Sequence, residues 1–128
     1  MRISKKAEYG LIAMAHLAKG KNKRAISIRE ISNIEALPFE FLGKIFAVLE
    51  KAKLIKAKHG ANGGYILTKA SSKISVNDVV SALEGNKKTV DCAFCQRKGK
   101  CSTKDIWAKL ENSLNKTLES IKLNSLVS

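Results

Sequence analysis

The tightest constraint on this chain is a gap of about two residues. One helically periodic stretch, opened by Ser27, runs to about Ala36, and the next begins at Pro38. Ser27-Ile28-Arg29-Glu30 has the form of a capping box, in which serine and glutamate satisfy each other's backbone donors at a helix start. Pro38 suits the first position of a helix, where its missing donor and fixed φ cost nothing. That second helix is expected to continue to about Lys53, burying Phe39, Leu42, Ile45, Phe46, Leu49 and Ala52 as one stripe. Helix, very short turn, helix is the connection of a helix-turn-helix.

What flanks the pair agrees with it. From Ile3 to Ala18 the residues Ile3, Ala7, Leu11, Met14, Ala15, Leu17 and Ala18 recur at helical spacing, with Ser4 as the cap. After Lys53 come Leu54 to Lys58, the loop His59-Gly60-Ala61-Asn62-Gly63-Gly64, and Tyr65 to Thr68. Short apolar runs around glycines that tolerate positive φ read as a β-hairpin, the wing of a winged helix. Ser75-Val76-Asn77-Asp78 opens a further helix from Val76 to about Leu83, with Gly85 as its C-cap. Ser102-Thr103-Lys104-Asp105 reads as another capping box, starting the longest helix, about Thr103 to Lys122. There Trp107, Leu110, Leu114, Leu118 and Ile121 form a packing seam that points to a dimer, and Leu123 to Ser128 are expected to fray. The expected fold is mainly α: a winged helix-turn-helix with a small hairpin wing and a long C-terminal dimerisation helix. The expected division is 1–85 for the DNA-binding unit, 86–102 for a cysteine-rich loop and 103–128 for the dimerisation helix and tail.

With 128 residues the chain holds one core and an appended element. Its net charge of +13 is uneven, with 15 Lys and Arg against 5 Asp and Glu in residues 1–73 and 9 against 6 thereafter. The N-terminal part therefore meets the polyanion. No apolar run approaches the roughly 20 residues of a membrane span, and the first 20 residues lack a signal peptide's apolar core and cleavage site. A cytoplasmic protein with duplex DNA as partner, and no membrane, is the expectation. On the helix that begins at Pro38, Glu40 can accept from a cytosine amino group and Lys44 can donate to guanine. Arg2, Lys5, Arg29, Lys51, Lys56 and Lys58 are placed for phosphates, which position without specifying. Any one lysine is ordinarily part of a solvated face. Together with the helix spacing and the glycine hairpin, the set reads as a DNA surface. An enzyme is not expected, for no nucleophile with a paired base, phosphate loop or carboxylate pair stands in a recognisable setting.

Cys92, Cys95 and Cys101 are the only cysteines, all within one polar segment. An odd count among Lys, Arg, Gln and Gly fits neither a disulfide scaffold nor core packing. Thiolates are soft ligands suited to iron-sulfur clusters and zinc. Zinc would normally close with four ligands, and neither His16 nor His59 lies near the three. The fourth ligand is open among Asp91, Asp105, Glu8, water or a partner group. Zinc and metal-free, thiol-responsive cysteines remain the alternatives.

Met1-Arg2-Ile3-Ser4 through Tyr9, Phe41-Leu42 to Leu49, Gly63-Gly64-Tyr65 through Leu67, Ser75 to Gly85 and Cys101 to Trp107 resemble the IscR and NsrR type of iron-sulfur winged-helix transcription regulators. The resemblance covers nearly the whole chain. It implies a homodimer that binds a palindromic operator, as repressor or activator, and senses iron, redox state or nitric oxide. It also implies a [2Fe-2S] or [4Fe-4S] cluster on Cys92, Cys95 and Cys101. Where IscR has a histidine ligand this chain has Lys104, a poor one; where the NsrR type has an N-terminal aspartate from the other subunit, it has Glu8. The IscR glutamate and arginine that help read DNA correspond to Gly43 and His59, and the gap between the first two cysteines is shorter than usual.

Overall fold

The computed structural model describes residues 3–19, 24–60, 63–85 and 103–127. Helix α1 (Lys5–Ala18) is capped by Ser4, whose hydroxyl oxygen accepts from the Ala7 N–H at 3.2 Å. Ser4 also donates its N–H, at 2.9 Å, and its hydroxyl to Glu84 Oε1, joining the start of α1 to the end of α4 (Val76–Glu84). The buried face of α1 is Ala7, Gly10, Ala13, Met14 and Leu17. It is rotated from the expected stripe, because Gly10 and Ala13 let α4 come close: a Cβ on Gly10 would lie 2.1 Å from Leu83 Cδ1. Ile3, expected inside, is 47% exposed.

Helices α2 (Ile28–Glu35) and α3 (Phe39–Lys51) form the expected pair. Ser27 accepts from the Glu30 N–H at 3.1 Å, but the Glu30 carboxylate turns to Arg24 at 2.9 Å, so the cap is one-sided. Ala36 closes α2 in the left-handed region at φ 56°. The turn is tied by Leu37 N–H to the Ser32 carbonyl at 3.1 Å and by the Ser32 hydroxyl to the Leu37 carbonyl at 2.6 Å. Pro38 stands one residue before α3 in extended conformation, as its cap rather than its first member. Leu42, Ile45, Phe46 and Leu49 are buried, whereas the expected stripe overshoots at both ends: Phe39 and Ala52 are exposed. Helix α3 stops at Lys51, two residues early, and Lys53 takes φ 64° to turn the chain into the wing.

The wing is an antiparallel pair, β1 (Ile55–Lys58) and β2 (Gly64–Leu67), with Ile55 opposite Leu67 and Lys58 opposite Gly64. Gly60 at φ 122° and the bond from Gly63 N–H to the Gly60 carbonyl at 3.0 Å shape the tip. A third segment, unexpected from sequence, joins the sheet: Ile26 and Tyr65 exchange backbone bonds of 3.0 and 2.9 Å. Tyr65 meets Phe46 edge-on at 5.0 Å, and Thr68 bonds the Lys53 and Leu54 carbonyls, so the wing is fastened to α3 at its base.

Helix α4 carries the full capping box, Ser75 and Asp78 exchanging bonds of 3.0 Å, and ends at Gly85 with φ 72°. Helix α5 (Lys104–Ser120) starts at Thr103, which makes no side-chain cap bond; its hydroxyl accepts the Trp107 indole N–H at 3.2 Å instead. Ser102, expected to open the capping box, lies outside the described residues, and Thr103 is the N-cap residue of α5. The tail does not fray. Val76 N–H bonds the Ile121 carbonyl at 2.8 Å, Leu123 N–H bonds the Ile74 carbonyl at 2.9 Å, and Leu123 is wholly buried. A single 3-10 turn, Leu123–Leu126, packs this end against α1. An apolar anchor buried this completely outweighs the ordinary fraying of a terminus.

Candidate nucleic-acid interface

The stripe opposite the buried face of α3 holds Glu40, Gly43, Lys44, Ala47 and Lys51, spaced by three and four residues. Glu40, Lys44, Ala47 and Lys51 are exposed, and nothing lies within 4 Å of where a Gly43 side chain would begin. Among the described residues no ion pair engages Glu40, Lys44 or Lys51. The stripe from Glu40 to Lys51 is about 16 Å long at the helical rise, a length that fits a groove of duplex DNA.

The wing adds a second basic element. Strand β1 alternates, Ile55 buried and Lys56 and Lys58 exposed, because successive side chains point to opposite faces. His59, also exposed, follows at the tip. Lys56 further lines an open groove of about 450 Å³ with Arg24, Lys69 and Ile66.

Two cations beside the first turn of α3 rest on aromatic rings. The Arg29 guanidinium carbon lies 3.9 Å from the centre of the Phe39 ring. Lys5 Nζ lies 5.9 Å from the Tyr9 ring, and Tyr9 meets Phe41 edge-on at 5.6 Å. The sequence placed Phe39 in the core because it fits the period of Leu42 and Phe46; a helix's first turn can overhang its neighbour, and no periodicity records that. The only available signal was its position directly after Pro38.

Glu8 is exposed on α1 and its carboxylate is 3.4 Å from Lys5 Nζ. Asp105 is exposed in the first turn of α5. Arg2, Asp91, Cys92, Cys95 and Cys101 lie outside the described residues. Among the described residues, no cluster of three His, Cys, Asp or Glu forms a metal site. His16, by contrast, is engaged within the fold, its Nδ1 3.1 Å from Glu35 Oε1.

A two-helix reading head, an exposed cationic stripe and a basic wing define a winged-helix DNA-binding regulator. Residues 3–128 match the model of the Rrf2 family, described as an iron-dependent transcriptional regulator, and the chain belongs to that family. Among its relatives is the transcriptional regulator IscR of Escherichia coli, 32% identical over 133 residues that cover 99% of this chain and 80% of the relative. Two solved structures are similar throughout. IscR of T. potens has a TM-score of 0.82 at 33% identity, over 98% of this chain and 85% of the other. CymR, the global cysteine regulator of B. subtilis, has a TM-score of 0.85 at 27% identity, over 98% and 95%. The family binds DNA to regulate transcription and is not a class of enzymes. No helix among the described residues is long and apolar enough to cross a membrane.

Proposed function

We propose that this chain is a homodimeric transcription regulator, acting in the cytoplasm on a palindromic operator, whose affinity is set by an iron-sulfur cluster on Cys92, Cys95 and Cys101. The observation that carries the reading is where those cysteines fall. They occupy the connection, 86–102, between the reading head and α5, so whatever they bind acts on the joint between the two.

The donor set fits such a cluster: three soft thiolates, with an exposed carboxylate, Glu8, that would exchange its surface pairing with Lys5 to serve the other subunit as the last ligand. Bound there, a [2Fe-2S] or [4Fe-4S] cluster supplies sensitivity to iron supply, oxidants or nitric oxide. The chain's own contribution is mechanical and electrostatic. Glu40, Gly43 and Lys44 face the bases, and Arg29, Lys51, Lys58 and His59 flank them toward phosphates or the minor groove, with Arg2 assigned to phosphates by its place in the sequence alone. Dimerisation is supported by α5, whose Ile106 is 58% and Trp107 36% exposed and none of whose described residues is buried in the single chain. A two-fold dimer presents two α3 helices to half-sites about 34 Å apart. Coupling follows if the loaded and empty joints favour different spacings of those heads.

Anaerobic purification tests this: iron and sulfide in stoichiometric amounts, with visible absorption bleached by nitric oxide, are expected. Glu8→Ala should make the cluster labile while leaving the fold intact. Colourless protein lacking iron and sulfide excludes the cluster. Similarity to CymR supports a second reading, a regulator responding through its thiols without a cluster. Replacing all three cysteines by serine then abolishes the response to oxidant in protein that never held iron.

A further inference from the structure

The contact between Arg29 of α2 and Phe39 of α3 lies outside the core. Phe39 is 39% exposed, outside the stripe that packs α3 on the rest of the head. Arg29 stands in the first turn of α2, where the helix dipole gains nothing from a cation. Its neighbour Glu30 is engaged by Arg24, and among the described residues no carboxylate lies within ion-pair distance of Arg29. At 3.9 Å the guanidinium lies close on the ring. A cation held against the π face spends no N–H donor on it, and among the described residues no hydrogen bond takes one from the Arg29 side chain.

We propose that Phe39 is a positioning residue: its ring holds Arg29 in place so that the guanidinium edge takes a DNA phosphate beside the first turn of α3. This rests on the DNA-binding reading of the head, which places Arg29 toward phosphates, and adds to it the device that orders that contact. A free arginine loses rotamer freedom when it grips a phosphate; one already resting on a ring has lost part of that freedom beforehand. A planar fork of donors matches the paired oxygens of a phosphodiester. The contact carries no sequence information, so it sets register and affinity rather than operator choice.

The test uses the full chain and a mixed-sequence 30-base-pair duplex, read by fluorescence anisotropy from about 50 to 200 mM salt. Arg29→Ala should weaken binding about tenfold and lower the slope of log K against log salt by about 0.9 for each head engaged. Phe39→Leu removes no charge, yet should weaken binding about threefold to tenfold and lower the slope in the same direction. Phe39→Tyr and Phe39→Trp, which keep a π face, should restore both. The double variant Arg29→Ala/Phe39→Leu should bind no more weakly than Arg29→Ala alone. Unchanged affinity and slope in Phe39→Leu, or additive losses in the double variant, overturn the positioning role. An inert Arg29→Ala in a protein that otherwise binds duplex overturns the phosphate contact and the positioning role with it, and leaves the DNA-binding reading standing. A wild-type chain with no affinity for duplex overturns the DNA reading itself and this contact with it.

Discussion

Replacing Gly64 by alanine should break the wing's fastening. A Cβ there would lie 2.5 Å from the Ile26 carbonyl carbon, 2.7 Å from its oxygen and 2.8 Å from Ser27 N, all backbone atoms that cannot rotate away. The Ile26–Tyr65 pairing must open, losing two backbone bonds of 3.0 and 2.9 Å. At about 0.5–1.5 kcal/mol net for each bond, that is about 1–3 kcal/mol. Partial exposure of Ile26, about 40 Å² at about 25 cal/mol per Å², adds about 1 kcal/mol. A total of about 2–4 kcal/mol is a large share of an ordinary domain's stability, and should lower Tm by about 10 °C. Gly43→Ala is the matched control: it meets open space in mid-helix and should stabilise by about 0.5–1 kcal/mol. Urea denaturation at fixed protein concentration, with the m-value held as a check, measures both. A Gly64→Ala variant within about 0.5 kcal/mol of wild type would refute the close-approach argument.

Leu123→Ala should cost about 2–5 kcal/mol in the same assay, because the side chain is wholly buried; a tail that only frays would give no change. Ile106→Glu should leave thermal stability at high dilution unaltered and convert the proposed dimer to monomer in sedimentation velocity, since the residue is 58% exposed in the single chain. Serine at Cys92, Cys95 or Cys101 should each abolish retention of iron and sulfide, measured chemically on anaerobic protein.

Local chemistry was legible from the residues. Ser4, Ser27 and Ser75 cap the helices they were expected to cap, and Gly85 takes its positive φ, because a cap is decided within about four residues of chain. Partners distant in sequence were not. The Ile26 bridge to the wing joins segments nearly 40 residues apart, and Leu123 is buried by α1 from the opposite end of the chain. Neither has a periodicity of its own. Phe39 shows the limit of periodicity itself: it keeps the helical phase of Leu42 and Phe46, while its exposure depends on how far α2 extends beside it. Of the site, the cationic stripe was readable because α3 has one face to bury and must present the other. The ring beneath Arg29 emerges only when α2 and α3 are packed together, whereas Lys5 and Tyr9 are neighbours four residues apart on α1.

The buried Leu123 makes the far end of α5 a rivet rather than a loose end. Seventeen residues give that helix a length of about 26 Å, with the cysteine segment joined at the unriveted tip. About such a pivot, a shift of about 4 Å at Lys104 corresponds to roughly 10° of rotation of the whole head. In the proposed regulator such a shaft would gear a small change beside the thiols to a turn of the protein large enough to matter on a helical ladder and small enough to need no unfolding.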